Sequence, residues 1–288
     1  MSVRLSELLE RYGLQLRKGL GQHFLADANL LNKIVQAADL SPESIVLEIG
    51  PGLGTLTRPL ARAAGRVVAV ELDPAMVNAL QAELADLPNL QLVHGDILQL
   101  DPAALVAPPG GGGTTPYIVV ANLPYYITAA VLRHLLEASR PPQRLVLTVQ
   151  LEVAQRIVAA PGAMSLLAVS VQFYGRPRIV ARIPAGAFIP PPKVDSAVLR
   201  IDAHPRPPVA VPDTAAFFRV TRAGFSQKRK QLKNALSAGL GLPAEQVLSA
   251  MRQAGIAPEQ RAQALSLAEW AALTCQLYPV IAGTGAPP

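Results

Sequence analysis

Between Ile45 and Ile201, short runs rich in β-branched residues alternate with longer stretches of helical period, and few architectures accept that alternation. Strands that are apolar on both faces must be covered on both, and the intervening helices supply the cover, so the pattern predicts a parallel sheet between helical layers. The expected strands are Ile45–Ile49, Arg66–Glu71, Leu90–His94, Tyr117–Ala121, Arg144–Val149, Arg178–Ile183 and Ser196–Ile201. Leu56–Ala64, Pro74–Asp86, Thr128–Ala138 and Leu151–Ala160 read as helices. Ahead of the sheet, Asp27 is placed to cap a helix in which Leu30, Leu31, Ile34, Val35 and Ala38 recur at near-helical spacing. The fold class is therefore α/β, a Rossmann-like domain of seven strands with a helical lead-in.

Prolines break the pattern at His204–Pro212, and beyond them only helical period remains. Helices are expected at Asp213–Phe225, Lys228–Ala238, Pro243–Ala254 and Ser266–Leu277, with Trp270, Leu273 and Leu277 as core. Two domains follow: residues 1–204 and a small all-helical unit, 205–288. Ala107–Pro116 is too rich in Gly and Pro to pack and reads as a surface loop, and the tail after Ala282 reads as disordered. No Lys-Ser/Thr follows the loop glycines, so they do not make a phosphate-binding loop.

Charge is distributed unevenly. Residues 1–204 carry 17 Lys/Arg against 16 Asp/Glu, whereas 205–288 carry 9 against 4. The basic excess belongs to the helical part, which points to a polyanionic partner there. Arg219, Arg222, Lys228, Arg229, Lys230 and Lys233 fall within fifteen residues without one acid. Such a run contacts RNA phosphates and orients the strand over a catalytic cleft, unless it is merely a solvated helix face; Arg17 and Lys18 can add a contact from the N-terminal side. No apolar run approaches the roughly 18 residues of a membrane span, and the first residues lack the apolar core of a secretory signal, so a cytoplasmic protein without a membrane partner is expected. Cys275 is the sole cysteine and the four histidines are scattered, so neither an internal disulfide nor a metal site is expected.

Four short motifs sit where the expected strands end. Glu48-Ile49-Gly50-Pro51-Gly52-Leu53-Gly54 follows the first strand and opens a helix; glycines such as Gly50 and Gly52 let the backbone approach a ligand at the carboxyl edge of the sheet. Thr55 stands where a dinucleotide fingerprint needs its last glycine, which weakens a dehydrogenase reading. Glu71, twenty-one residues after Gly50, is positioned to accept from two ribose hydroxyls of an adenosine cofactor, while Asp73 before Pro74 reads as a helix cap. Asp96 can accept from an adenine amino group or simply cap a turn. The fourth motif, Asn122-Leu123-Pro124-Tyr125, discriminates among chemistries. The nitrogen of an exocyclic amine is a poor nucleophile because its lone pair is delocalised into the ring. Acceptors at both hydrogens, the Asn122 side-chain oxygen and the Leu123 carbonyl, favour pyramidal nitrogen and localise that pair. Pro124 stiffens the turn and Tyr125 offers a face to a flipped-out base. Methyl transfer of this kind is governed by positioning and needs no strong base.

With these motifs the sequence resembles the ribosomal RNA adenine dimethyltransferase family, of the KsgA/RsmA type that modifies small-subunit RNA. The likeness also runs through Lys18-Gly19-Leu20-Gly21-Gln22-His23-Phe24-Leu25 and through Phe188-Ile189-Pro190-Pro191-Pro192-Lys193-Val194-Asp195-Ser196. It implies an S-adenosylmethionine methyltransferase domain in which His23, Leu25, Gly50, Glu71, Asp96 and Asn122 line the cofactor site. It implies that His23 donates to the cofactor carboxylate, and that Phe188 sandwiches the target adenine opposite Tyr125. It further implies dimethylation at N6 of two adjacent adenosines near the 3′ end of 16S rRNA, within the immature 30S subunit, by a monomer. The Ala107–Pro116 loop is longer and richer in glycine than the family pattern. The competing expectations are a 23S rRNA adenine methyltransferase, and an assembly factor whose main role is to bind the immature small subunit. A DNA adenine methyltransferase would share the Asn-x-Pro-Tyr chemistry but ordinarily carries a larger recognition region.

Overall fold

The computed structural model describes residues 2–14, 21–108 and 116–282. Arg17, Lys18, most of the Ala107–Pro116 loop and the C-terminal tail lie outside the described residues. The strands are β1 (Phe24–Leu25), β2 (Ile45–Ile49), β3 (Arg66–Glu71), β4 (Leu90–His94), β5 (Ile118–Asn122), β6 (Arg144–Gln150), β7 (Gly175–Ile183), β8 (Phe188–Ile189) and β9 (Ser196–Ala203). The helices are α1 (Ser2–Arg11), α2 (Ala28–Ala38), α3 (Thr57–Ala63), α4 (Pro74–Glu83), α5 (Pro102–Val106), α6 (Thr128–Leu136), α7 (Leu151–Ile157), α8 (Leu166–Tyr174), α9 (Thr214–Phe225), α10 (Leu232–Leu240), α11 (Ala244–Gln253) and α12 (Leu267–Ile281).

Seven strands form one sheet in the order β4-β3-β2-β5-β6-β9-β7, and β1 and β8 make a separate two-stranded ribbon. Pairing is parallel from β4 through β6 and antiparallel between β6 and β9. The chain leaves β2 toward β3 on one side and later returns to β5 on the other, so a crevice opens between β2 and β5 at their carboxyl ends. Val46, Val67, Ile118, Val120, Val146 and Val198 cover one face with Ile34, Ala38 and Leu60 from α2 and α3. Asp27 caps α2 by accepting from the N–H groups of Asn29 and Leu30, at 2.8 and 3.0 Å. Asp73 caps α4, with Pro74 following it in the first turn.

The chain divides into two compact units, Met1–Ala154 with Arg176–Ala203, and Gln155–Gly175 with His204–Pro288. The segment Gln155–Gly175 therefore groups with the C-terminal helices. It contains α8, which the sequence does not announce: LLAVSVQFY mixes β-branched, aromatic and aliphatic residues and is nearly apolar all round, so neither period stands out. In the second unit Phe173 stacks on Phe217 at 4.7 Å, and Trp270 is fully buried among Leu232, Leu236, Leu273 and Leu277. Two helix limits differ from expectation. Helix α10 begins at Leu232 rather than Lys228, because Ser226–Lys230 are all exposed and the buried stripe of Leu232, Ala235, Leu236 and Leu240 starts later. Helix α12 runs past Leu277 to Ile281, which extends the stripe of Leu273 and Leu277 by one more turn.

Gly224, inside α9, lies against that core: a Cβ there would stand 2.4 Å from Trp270 Cη2. Replacing a helical glycine by alanine ordinarily gains about 1 kcal/mol. Overpacking a rigid, fully buried indole costs about 1–3 kcal/mol, so the sign reverses. Gly224→Ala is expected to lower the denaturation midpoint of the helical unit, and a raised midpoint in thermal or urea melts would contradict this packing.

Candidate active site

The crevice at β2 and β5 is a cavity whose walls come from the ends of four strands and from the segment around β1. Gly50, Gly52, Glu71, Asp96, Asn122, Leu123, Pro124 and Tyr125 line it, with His23 and Leu25. Residues spread over a hundred positions thus meet as expected, because β2, β3, β4 and β5 are parallel and all end at one edge.

The glycine turn leaves β2 through Gly50, at φ 66°, whose N–H bonds the Val70 carbonyl at 2.9 Å. Among the described residues, no atom beyond the adjoining chain lies within 4 Å of where a Gly50 Cβ would stand. Gly52, at φ 59°, is restricted on the opposite count, since its Cβ would fall 2.5 Å from Phe24 Cε1. The N–H of Gly52 donates to Glu71 Oε2 at 3.1 Å, and that of Asp73 donates to Oε1 at 2.9 Å. The carboxylate is thereby fixed across the turn. Burial raises the Glu71 pKa above the usual carboxylate range, while the N–H groups of Asp73, Gly52 and Leu72 pull it back.

Glu48 opens the glycine motif, but the sequence reading gave it no role. It is 1% exposed at the cavity wall, and among the described residues its Oε2 has no hydrogen-bond partner. Burial, with the Glu71 charge besides, pushes its carboxyl up to about 8, so it is largely neutral at pH 7. A signal was present: an acid within an otherwise apolar central strand must be buried, and buried acids are rarely without purpose. Tyr126 and Gln22 also line the cavity unannounced, Tyr126 with 63% exposure at its mouth. Asp96 borders the cavity, and its Oδ1 accepts from Leu98 N–H at 3.0 Å to cap a short turn.

Asn122 closes β5, one residue later than the expected strand end. Its Nδ2 donates to the His23 carbonyl at 2.8 Å. A carbonyl can only accept, so the amide must present its NH2 to His23, which leaves Oδ1 as an unengaged acceptor. The Leu123 side chain is buried and anchors the turn, and the Pro124 carbonyl accepts from Ile127 N–H at 3.2 Å. The Tyr125 hydroxyl lies 2.7 Å from Ser196 Oγ, and its ring stacks on the His23 imidazole with centroids 5.8 Å apart. Burial raises the Tyr125 pKa, so the phenol stays neutral and cannot act as a base at pH 7.

Two expected roles meet difficulty. His23 Nδ1 lies 2.7 Å from the Pro190 carbonyl and must carry the proton in that bond. The ring is thereby already engaged through Nδ1. Phe188 does not line the cavity. It is 2% exposed, paired with Leu25 across the ribbon, and its ring sits in the core with Leu25 and Ile34. Strand alternation turns it inward, so in this conformation it offers no face opposite Tyr125.

In the second unit Arg222 and Lys228–Lys230 are exposed, in α9 and in the turn before α10, and Lys233 is half-buried. Arg219 Nη1 donates to the Ile281 carbonyl at 3.1 Å and so ties α9 to the end of α12. Among the described residues no group of His, Cys, Asp and Glu is arranged to hold a metal ion, and no helix is long and apolar enough to cross a membrane.

A family model described as Ribosomal RNA adenine dimethylase matches residues 13–277. The ribosomal RNA small subunit methyltransferase A of Dehalococcoides mccartyi is 48% identical over 278 residues, covering 96% of this chain and 94% of that one. The protein of the same name from Moorella thermoacetica is 45% identical over 272 residues, covering 93% and 94%. Among solved structures, the 23S rRNA methyltransferase ErmE matches with a TM-score of 0.69 at 29% identity, over 88% of this chain and 99% of that one. A dimethyladenosine transferase from Plasmodium falciparum has the same fold, with a TM-score of 0.74 at 24% identity over 89% and 98%.

Proposed function

The chain belongs to the ribosomal RNA adenine dimethylase family, and from that premise we propose that it dimethylates N6 of two adjacent adenosines near the 3′ end of 16S rRNA in the immature 30S subunit. The observation that carries the chemistry is the Asn122 amide, held by His23 so that its oxygen is free to accept. The address is favoured by relatives named for the small subunit, which are more similar in sequence than the enzyme named for 23S rRNA.

The cavity suits S-adenosylmethionine. Glu71 is fixed to receive ribose hydroxyls, Asp96 borders the adenine end, the Gly50 backbone leaves room, and the orphaned Glu48 oxygen offers an acceptor for a ligand donor. When bound, that cofactor supplies a methyl group activated by a sulfonium. His23, Leu25 and Gly52 shape the remaining wall. Asn122 Oδ1 and the Leu123 carbonyl accept the two hydrogens of the target amine and pull its lone pair out of conjugation. Tyr125, pinned to Ser196 and backed by His23, presents a fixed face to the extruded base. Pro124 keeps this turn stiff, and the proton lost from nitrogen passes to water. Positioning carries the rate. The burial of Phe188 and its pairing with Leu25 favour a supporting role behind β1 over stacking on the base. Arg219, Arg222, Lys228, Arg229, Lys230 and Lys233 of the helical domain, with Arg17 and Lys18, hold the RNA backbone. The protein works as a monomer in the cytoplasm.

Labelled methyl transfer to purified immature 30S and 50S particles tests the assignment. Label is expected only in the small-subunit RNA, on two neighbouring adenosines mapped by mass spectrometry, and label confined to 50S particles would refute it. In the same assay, alanine at Arg222, Lys228, Arg229 and Lys230 should weaken particle binding and flatten its dependence on salt.

A further inference from the structure

Strand β7 is the terminal strand of the seven-stranded sheet, so among the described residues one of its edges has no partner strand. Arg176, Arg178 and Arg182 are all exposed along it. Arg176 and Arg178 are two positions apart and share one face; Val180, next on that face, packs against the core before Arg182 is exposed again, and Ile183 on the other face is buried in it. Arg182 is tied to Asp195 at 2.6 Å, and Asp195 also accepts from Ala185 N–H at 2.9 Å. Among the described residues Arg176 and Arg178 make no hydrogen bond or ion pair, and no acid has been drawn to them. Alternate strand positions have Cα atoms about 6.6 Å apart, so Arg176 and Arg178 rise from neighbouring points on one face and can reach successive phosphates of a polynucleotide. The row also leads to the catalytic cavity. From Ile183 the chain turns through Pro184–Ala187 into β8, and Pro190 just beyond it bonds His23 at the cavity wall.

We propose that Arg176 and Arg178, continued by Arg182, form a second RNA-backbone contact on the methyltransferase domain, which guides the strand flanking the extruded adenosine. The contact rests on the reading of ribosomal RNA as substrate. It is separate from the basic turn between α9 and α10, and it positions the RNA without touching the reacting atoms.

Exposed arginines on an edge strand also guard against strand-to-strand association, and that role predicts different behaviour. The test is the salt dependence of binding to a small-subunit rRNA transcript between about 50 and 200 mM salt, for the full chain and for R176Q/R178Q. The slope of log affinity against log salt should become shallower by about 1.4 to 1.8 in the variant, since two phosphate contacts are lost. R176K/R178K should restore the slope, and affinity for S-adenosylhomocysteine should be unchanged in both variants. An unchanged slope in R176Q/R178Q overturns the proposal, as does self-association of that variant with an unchanged slope. Failure of the functional reading is distinguishable, because it shows as no methylation of small-subunit RNA by the unaltered protein.

Discussion

Asn122→Ala will lower methyl transfer by about 100- to 1000-fold while particle binding and the fold persist, the loss found when one preorganised polar group is removed from a reacting centre. The change removes two things together. The oxygen that holds an amine hydrogen is lost, and the His23 carbonyl, 2.8 Å from Nδ2, loses its donor. Asn122→Asp separates these effects. It keeps an acceptor for the amine but sets a carboxylate oxygen against the His23 carbonyl, a pairing of two acceptors that costs about 1–3 kcal/mol. Asp at this position should therefore be impaired as well, with the β1 segment displaced. Single-turnover rates on immature 30S particles, with circular dichroism to confirm folding, provide the measurement. Full activity of Asn122→Ala would remove the basis of the assigned mechanism.

Glu71→Ala should raise the dissociation constant for S-adenosylhomocysteine by about 30- to 150-fold without altering RNA binding. The carboxylate bridges the N–H groups of Gly52 and Asp73, and it is proposed to receive the cofactor ribose. Its removal leaves two N–H groups in a largely buried turn without a partner, and it deletes charge-assisted bonds to the ligand, a combined loss of about 2–3 kcal/mol. Glu71→Gln keeps the shape and should fall between, since its amide oxygen can still take one of the two N–H groups. Calorimetric titration reads the constants directly. An unchanged constant for the alanine variant would mean that the ribose lies elsewhere in the cavity.

Much of the first domain was legible because its signals are local. The strands Ile45–Ile49, Arg66–Glu71 and Leu90–His94 are bounded by residues that end strands on their own account, and Asp27 and Asp73 cap helices through bonds that span two or three residues. Gly50 and Gly52 could be assigned to a turn because positive φ is a property of the residue itself. The meeting of Glu71, Asp96 and Asn122 followed from the parallel order of the strands, which the βα alternation already implied.

Contacts made at long range were not legible. The orientation of the Asn122 amide depends on a carbonyl 99 positions away, and the proton on His23 depends on one 167 positions away. The family resemblance implies that Phe188 stacks on the target base, yet its pairing with Leu25 turns the ring into the core. Nearly apolar α8 has no period to betray it until its burial in the helical unit is known. The Glu48 carboxyl is pushed up chiefly because β3 and β5 flank its strand and exclude water, with the Glu71 charge adding to the effect. Sequence alone determined which backbone conformations and which edge of the sheet the chemistry would use, because torsional preference and hydrophobic period act between near neighbours. The tertiary structure decided which atom of each side chain is already satisfied and which remains free to act, because hydrogen bonding and desolvation depend on groups that only folding brings within reach.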